Sequence, residues 1–240
     1  MKRVLIYGGS SLISIELIKI LYQEIDKFVV FCRNKDLFSK KMADLEFDNN
    51  KFDTREVDLE NLKENLEMAG TIDNLQGIYW IAGYNGDTEE EFLNSDKCKK
   101  NININFLHPA IIINKLIGSL CKNNNVPYIV VVTSVAGLRG RSKNIFYGSA
   151  KSALISYLSG IRQKYNNKIN VITVIPGYIS TIDFKINAPS FLISTPAELA
   201  KKIINAVIKK KEIVYSNIWW RIAMLIVKLI PEKIFKKLDF

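Results

Sequence analysis

Residues 130–151 read VVVTSVAGLRGRSKNIFYGSAK, and the reading of this stretch decides the fold. It opens as a continuous β-branched run, the mark of a strand buried on both faces. A loop rich in Gly and Arg follows, and then Tyr147 and Lys151 stand four apart where a helix begins. That spacing puts the phenol and the ammonium on one helix face. Ser134 lies thirteen residues before the tyrosine, at the carboxyl end of the strand. In an open parallel α/β sheet that end is where ligands bind. Read for chemistry, a Ser, a Tyr and a Lys converging there form a proton-transfer site. Read for structure alone, they are a turn serine, a half-buried tyrosine and a surface lysine. The stretch by itself is compatible with both.

Upstream, Arg3–Tyr7 reads as a buried strand, followed by Gly8, Gly9, Ser10 and Ser11, and then by apolar residues at helical spacing over 12–25. Strand, Gly-rich turn and helix together open a dinucleotide-binding βαβ unit. Gly8 and Gly9 would allow close backbone approach, with helix N–H groups facing a pyrophosphate. A GxxxGxG pattern from Gly8 would put glycine at 12 and 14, where this chain has Leu12 and Ser14. Residues 28–32 make a second strand with Arg33 at its carboxyl end. An acid there binds the ribose 2′-hydroxyl, whereas Arg accommodates a 2′-phosphate. No acid occurs before Asp36, so NADP(H) is expected over NAD; the alternative is an arginine on a solvated loop.

Residues 53–57 form a short third strand ending in Asp58 and Leu59, followed by a polar helix to about Ala69. A fourth strand, 77–81, closes on Ala82 and Gly83. Residues 88–122 look like one long helical region, interrupted near 101–105 and at Pro109. The fifth strand spans 128–133, a helix spans 146–165, and Asn170–Ile175 is a sixth strand ending at Pro176 and Gly177. Thr195, Pro196, Ala197 and Glu198 form a capping box with proline at the first helical position, opening a helix to about Lys210. Residues 212–216 supply a seventh strand, and no repeat, linker or low-complexity tract appears. Strands alternating with helices predict one α/β domain over 1–216. Its fold class is a doubly wound, Rossmann-like, seven-stranded parallel sheet in three α/β/α layers.

Composition excludes several classes. Cys32, Cys98 and Cys121 lie far apart with no CxxC, which argues against a disulfide scaffold and a thiolate metal site, and no metal is expected. His108 is the only histidine, and capping or packing a helix suits it better than a catalytic triad. The sequence around Ser134, VTSVAG, lacks the GxSxG nucleophile elbow of a hydrolase. The amino terminus enters a strand directly, and no segment reaches the ~18 apolar residues of a membrane span, so a cytoplasmic location is expected.

Of the net charge of +10, residues 201–240 carry +7, from ten Lys/Arg and three Asp/Glu. The basic residues are not interleaved in a nucleic-acid-binding module, and no nucleic-acid partner is expected. Residues 217–240 instead read as a basic amphipathic extension of the domain. Trp219, Trp220, Met224, Leu225 and Val227 precede Lys233, Lys236 and Lys237. Such a helix can lie in the headgroup region of an anionic membrane, at its inner face. It can equally pack over a substrate pocket or form a subunit interface.

Ser134, Tyr147 and Lys151 at this spacing resemble the catalytic set of the short-chain dehydrogenase/reductase family. Ala82-Gly83 resembles the end of that family's NNAG motif, Asn105 falls where it keeps a catalytic asparagine, and Asp58 where an acid contacts the adenine. Pro176-Gly177 with Thr181 resembles its PGxxxT segment, which holds the nicotinamide carboxamide. The resemblance covers essentially the whole chain and implies a carbonyl reductase that forms dimers or tetramers. Tyr147 would be the general acid, with Lys151 lowering its pKa and holding the nicotinamide ribose. Ser134 would orient the substrate oxygen, and Asn105 would hold a water in a relay to Lys151. The cofactor-binding set it implies is Gly8, Gly9, Ser10, Ser11, Ile13, Arg33, Asp58, Leu59, Ala82, Gly83, Tyr147, Lys151, Pro176, Gly177, Ile179 and Thr181. Trp80 and Ile81 depart from the two asparagines of NNAG, and Leu12 and Ser14 from two loop glycines.

A narrower resemblance links the Gly8–Ile13 loop, the loop at 139–144 and the ending IPEKIFKKL to the decaprenylphosphoryl-2-keto-pentose reductases of cell-envelope arabinan synthesis. It implies a lipid-linked keto-sugar substrate. Arg139, Arg141 and Lys143, on the loop between Ser134 and Tyr147, border the expected site mouth and read as recognising a substrate phosphate. Arg139 and Arg141 are the substrate-binding candidates, because Arg is geometrically suited to that task. The alternatives are a solvated basic loop, another carbonyl substrate such as a 3-oxoacyl thioester or a small ketone, and a cofactor-binding sensor or scaffold without turnover.

Overall fold

In the computed structural model, which describes residues 1–122, 126–180 and 188–238, the apolar runs become strands within a residue or two of their expected bounds. These are β1 (Arg3–Tyr7), β2 (Lys27–Cys32), β3 (Phe52–Glu56), β4 (Gly77–Trp80), β5 (Tyr128–Val132) and β6 (Asn170–Ile175). The short β7 (Tyr178–Ile179) and β8 (Ile193–Ser194) follow, then β9 (Ile213–Tyr215). Seven strands form one parallel sheet in the order β3-β2-β1-β4-β5-β6-β9, while β7 and β8 pair separately. Thr181 of the expected PGxxxT segment lies outside the described residues.

The helices are α1 (Leu12–Leu21), α2 (Lys35–Asp44), α3 (Leu62–Gly70), α4 (Thr88–Leu93), α5 (Ser95–Ile102), α6 (His108–Leu120), α7 (Ile145–Lys164), α8 (Pro196–Ile208), α9 (Ile218–Leu229) and α10 (Glu232–Phe235). Because successive strand side chains alternate faces, Val4 and Ile6 pack under α1, α2 and α8, whereas Leu5 and Tyr7 pack under α3, α6 and α7. The result is the expected three-layer α/β/α arrangement, with both faces of the sheet dry.

The region 88–122 is more broken than its sequence implies. Asn94 separates α4 from α5 and caps α5, its side chain accepting from Asp96 N at 2.9 Å. A wide π-helical turn, Asn103–Leu107, then leads into α6. This turn directly precedes Pro109, whose ring and missing N–H a regular helix interior would not accommodate.

The carboxyl-terminal extension folds back onto the domain. Trp220 and Met224 of α9 pack against Val135 and Ile175, and the Trp220 indole N–H donates to Leu192 O at 2.7 Å. Gly177 lies beneath the indole, where a Cβ would overlap the ring. The expected amphipathic helix thus has a docked face, and Ile222, Leu225, Ile226 and Leu229 remain exposed on the other. Among the described residues no helix is long and apolar enough to cross a membrane.

Candidate active site

β1 lies between β2 and β4, so strand order reverses there and a crevice opens beyond the carboxyl ends of the strands. A cleft of about 360 Å³ occupies it, lined by Gly8, Ser10, Ser11, Arg33, Asp58, Leu59, Ala82 and Gly83 of the expected cofactor set. Gly8 adopts φ +90, and a Cβ there would stand 2.7 Å from Ala82 N, so only glycine lets the two walls meet. Gly9 backs onto Val30, and Ile13 packs into the core beneath.

The two departures in this loop have structural answers. Leu12 does not line the cleft. Ser14 is fully buried, and its hydroxyl donates to Gly8 O at 2.8 Å while Ser11 Oγ donates to Ser14 Oγ at 2.9 Å. Ser14 therefore braces the turn that a glycine would leave unsupported. Trp80 is also fully buried, stacked on Tyr7 with ring centroids 4.1 Å apart, in place of the polar link an asparagine would make.

A dinucleotide fits these residues. Ser10 Oγ is buried at the cleft with no nitrogen or oxygen partner, and Arg33 is exposed at the end of β2. Asp58 Oδ1 accepts from Glu60 N at 2.9 Å, which fixes the turn carrying the expected adenine contact. Pro176, Gly177 and Ile179 do not line this cleft; Pro176 O instead accepts from Val135 N at 2.9 Å, tying the segment to the turn after β5.

Lys151 and Asn105 meet beside Gly83, and Tyr147 links Lys151 to Ser134, its ring near the ammonium and its hydroxyl bonded to the serine. Ser134 caps a 3₁₀ turn, Val135–Leu138, accepting from Ala136 N at 3.1 Å. That turn is pressed onto α7 at two glycines. A Cβ on Gly137 would sit 2.7 Å from the Lys151 carbonyl carbon, and one on Gly148 would sit 3.0 Å from Ala136 O. Glycine at both places sets the distance from Ser134 to Tyr147 and Lys151. Lys151 is buried, its ammonium donating to Val132 O at 3.4 Å and standing 5.6 Å from the Tyr147 ring centroid. Around a Cβ built on Gly83, Asn105 Oδ1 would be 3.1 Å away and Lys151 Nζ 3.3 Å away, so both converge over this glycine.

The electrostatics differ from expectation in one respect. Burial pushes the Tyr147 phenol up, opposed by a side-chain hydrogen bond with Ser134, and the expected lowering by Lys151 is not seen. Lys151 is itself so poorly solvated that its pKa is pushed down to about 8. Desolvation outweighs attraction here.

Arg139 and Arg141 part company. Arg139 Nη2 pairs with Glu232 Oε2 at 2.7 Å, Nη1 donates to Lys228 O at 3.3 Å, and the guanidinium stacks on Phe235 at 4.2 Å. The tail therefore holds the arginine expected to meet a substrate phosphate. Arg141 lines a separate cleft of about 510 Å³ with Ser142, Ser149, Lys236 and Lys237. His108 packs as expected, its Nδ1 2.6 Å from Leu59 O. Sequence reasoning missed the support behind Asn105. Asn101 and Glu91 are buried polar residues bonded in series to it, and no motif marks them.

A family model described as short chain dehydrogenase matches residues 2–188. The chain belongs to the short chain dehydrogenase family. This short chain dehydrogenase is 34% identical over 95 residues to the ketoacyl reductase HetN of Nostoc, a match over 37% of this chain and 33% of that one. It spans between a third and three fifths of the length of such curated relatives. Among solved structures it resembles a short chain dehydrogenase of Burkholderia cenocepacia in complex with NADP. The TM-score is 0.78 at 18% identity, covering 96% of this chain and 100% of that one. A short chain dehydrogenase/reductase of Burkholderia phymatum in complex with NAD gives a TM-score of 0.79 at 12% identity, covering 93% and 92%.

Proposed function

We propose that this short chain dehydrogenase reduces a ketone with NADPH, using Tyr147 as the proton donor. The observation that carries this reading is the convergence of Lys151 and Asn105 on Gly83, at the edge of the dinucleotide cleft, with the Tyr147 ring 5.6 Å from the Lys151 ammonium and Ser134 bonded to the phenol. When bound, the reduced nicotinamide supplies the hydride. Ser134 orients the carbonyl oxygen, and Tyr147 delivers its proton to the oxygen as negative charge develops there. Lys151 holds the nicotinamide ribose, and Asn105 positions a water that reaches the lysine. NADP is preferred because Arg33, exposed at the end of β2 on the cleft, suits a 2′-phosphate.

The substrate in this reading is a keto-sugar joined through phosphate to a polyprenol, used in cell-envelope glycan synthesis. Its support is the sequence resemblance together with the cleft where Arg141, Lys236 and Lys237 gather. Arg139 would join them by exchanging Glu232 for the substrate anion. The outward apolar face of α9 would keep the enzyme at the inner face of an anionic membrane, as a homo-oligomer in the cytoplasm.

The test is Tyr147→Phe in the full chain, assayed on a carbonyl panel that includes phosphorylated ketoses, 3-oxoacyl thioesters and small ketones. Loss of reduction by about 10²- to 10⁴-fold with NADPH binding intact is expected. Retention of most of the activity would sink the assignment. Preference for a 3-oxoacyl thioester would move the substrate to the class named for the Nostoc relative. NADPH binding without any turnover would favour a sensor.

A further inference from the structure

Glu91 is a carboxyl group with no place in the reading above, although it is only 3% exposed on a helix whose next two residues, Phe92 and Leu93, are largely exposed. A carboxyl group leaves water only where something holds it. Here the holder is Asn101, fully buried on α5, whose Nδ2 donates to Glu91 Oε1 at 2.5 Å. Asn101 Oδ1 in turn accepts from Asn105 Nδ2 at 2.7 Å. We infer that Glu91 is a positioning residue for Asn105, acting through Asn101; the inference rests on Asn105 belonging to the catalytic set.

Direction decides what such a row of amides does. A carboxamide has one accepting and one donating end, so a row of amides has a polarity set by whatever anchors it. Glu91 offers an acceptor, which takes the Asn101 NH₂ and turns its oxygen towards Asn105. The Asn105 NH₂ is then drawn to that oxygen and to Tyr84 O at 2.6 Å, while Asn105 Oδ1 accepts from Tyr84 N at 3.1 Å. With this orientation an oxygen, rather than an NH₂, faces the side of Gly83 where Lys151 Nζ lies. An acceptor there complements the ammonium and a bridging water. Were Asn101 to turn over, its NH₂ would oppose the Asn105 NH₂, donor against donor.

The surroundings hold Glu91 in place. Gly86 has no Cβ, and one added there would strike the Glu91 carboxyl group. Thr88 Oγ1 on the same helix donates to Lys143 O at 2.8 Å, fastening α4 to the loop that leads into Tyr147. The anchor of the amide row and the catalytic tyrosine thus share one support.

The test compares Glu91→Leu, which removes the acceptor but keeps the bulk, with Glu91→Gln, which keeps an accepting oxygen. On a carbonyl that the unmodified enzyme reduces, Glu91→Leu is expected to lower kcat about tenfold with KM for NADPH unchanged, and Glu91→Gln to stay within about twofold. Equal kcat in both variants, with or without a matching fall in Tm, overturns the inference. A second readout needs no substrate: hydrogen exchange of the Asn105 side-chain amide in ¹⁵N-labelled protein, assigned with Asn105→Asp. Faster exchange in Glu91→Leu but not in Glu91→Gln supports the role, and an indifferent Asn105 amide overturns it while leaving the reductase reading intact. A protein that reduces no carbonyl but whose Asn105 amide still responds would sink the reductase reading while upholding the hold of Glu91 on the Asn105 amide.

Discussion

Lys151 is an ammonium with almost no water around it, held near a single backbone carbonyl. Its pKa falls from the ordinary 10.5 to about 8. Between those values the unfolded chain keeps the proton and the folded chain has released it, so stability rises with pH across that window. Below pH 8 the folded protein carries a charge whose burial costs about 3 kcal/mol. Lys151→Met is therefore expected to raise the unfolding free energy of the cofactor-free protein at pH 7 by about 2 kcal/mol, allowing for the lost hydrogen bond to Val132. The gain should shrink towards pH 10. Urea unfolding at the two pH values checks this, and a less stable variant at pH 7 contradicts it. The grouping of Ser134, Tyr147 and Lys151, to which a catalytic role is proposed, was legible in the sequence because its members sit in fixed spacings on one strand end and one helix. The direction in which Tyr147 moves was not, because it depends on how much protein packs over the phenol, which no local spacing encodes.

The same contrast holds for elements. Strands were readable because a sheet covered on both faces demands uninterrupted apolar runs. The interruption near 101–105 and at Pro109 was readable too, and the π turn Asn103–Leu107 fills it. The break at Asn94 was not, since a lone asparagine capping the next helix carries no signal apart from its neighbours. Nor did the glycines of residues 130–151 declare their purpose. Gly137→Ala would drive a methyl group to within 2.7 Å of the α7 backbone. It is expected to cost about 1–3 kcal/mol and to lower kcat by moving the Ser134 turn off Tyr147, without weakening NADPH binding. Gly160 is the control on the same helix. It faces open space, and Gly160→Ala should raise stability by about 0.5–1 kcal/mol through helix propensity alone. Thermal unfolding of the pair decides whether position or residue type matters.

At the scale of the whole molecule, charge and apolar surface coincide in the tail. The outward face of α9 carries Leu225 at 63%, Ile226 at 59% and Leu229 at 75% exposure, with Lys228 among them. Replacing these three residues by Ser leaves Trp220 and Met224 docked. The triple variant is expected to lose co-sedimentation with anionic vesicles while keeping its Tm, and the unmodified protein should dissociate as salt rises. Binding that survives the substitutions would exclude this face. The hold of the tail on Arg139 could not be read in advance, because Glu232 is 93 residues away in the chain. Strand order has a further consequence, in the making of the protein rather than its use. β1 is synthesised first yet lies in the interior of the sheet, and its second neighbour, β4, begins only at Gly77. Parallel pairing across such separations is slow to form. Until β4 emerges from the ribosome, the strand carrying the glycine loop has one open edge, so the exposure of this sheet to misassociation falls between the synthesis of β1 and that of β4.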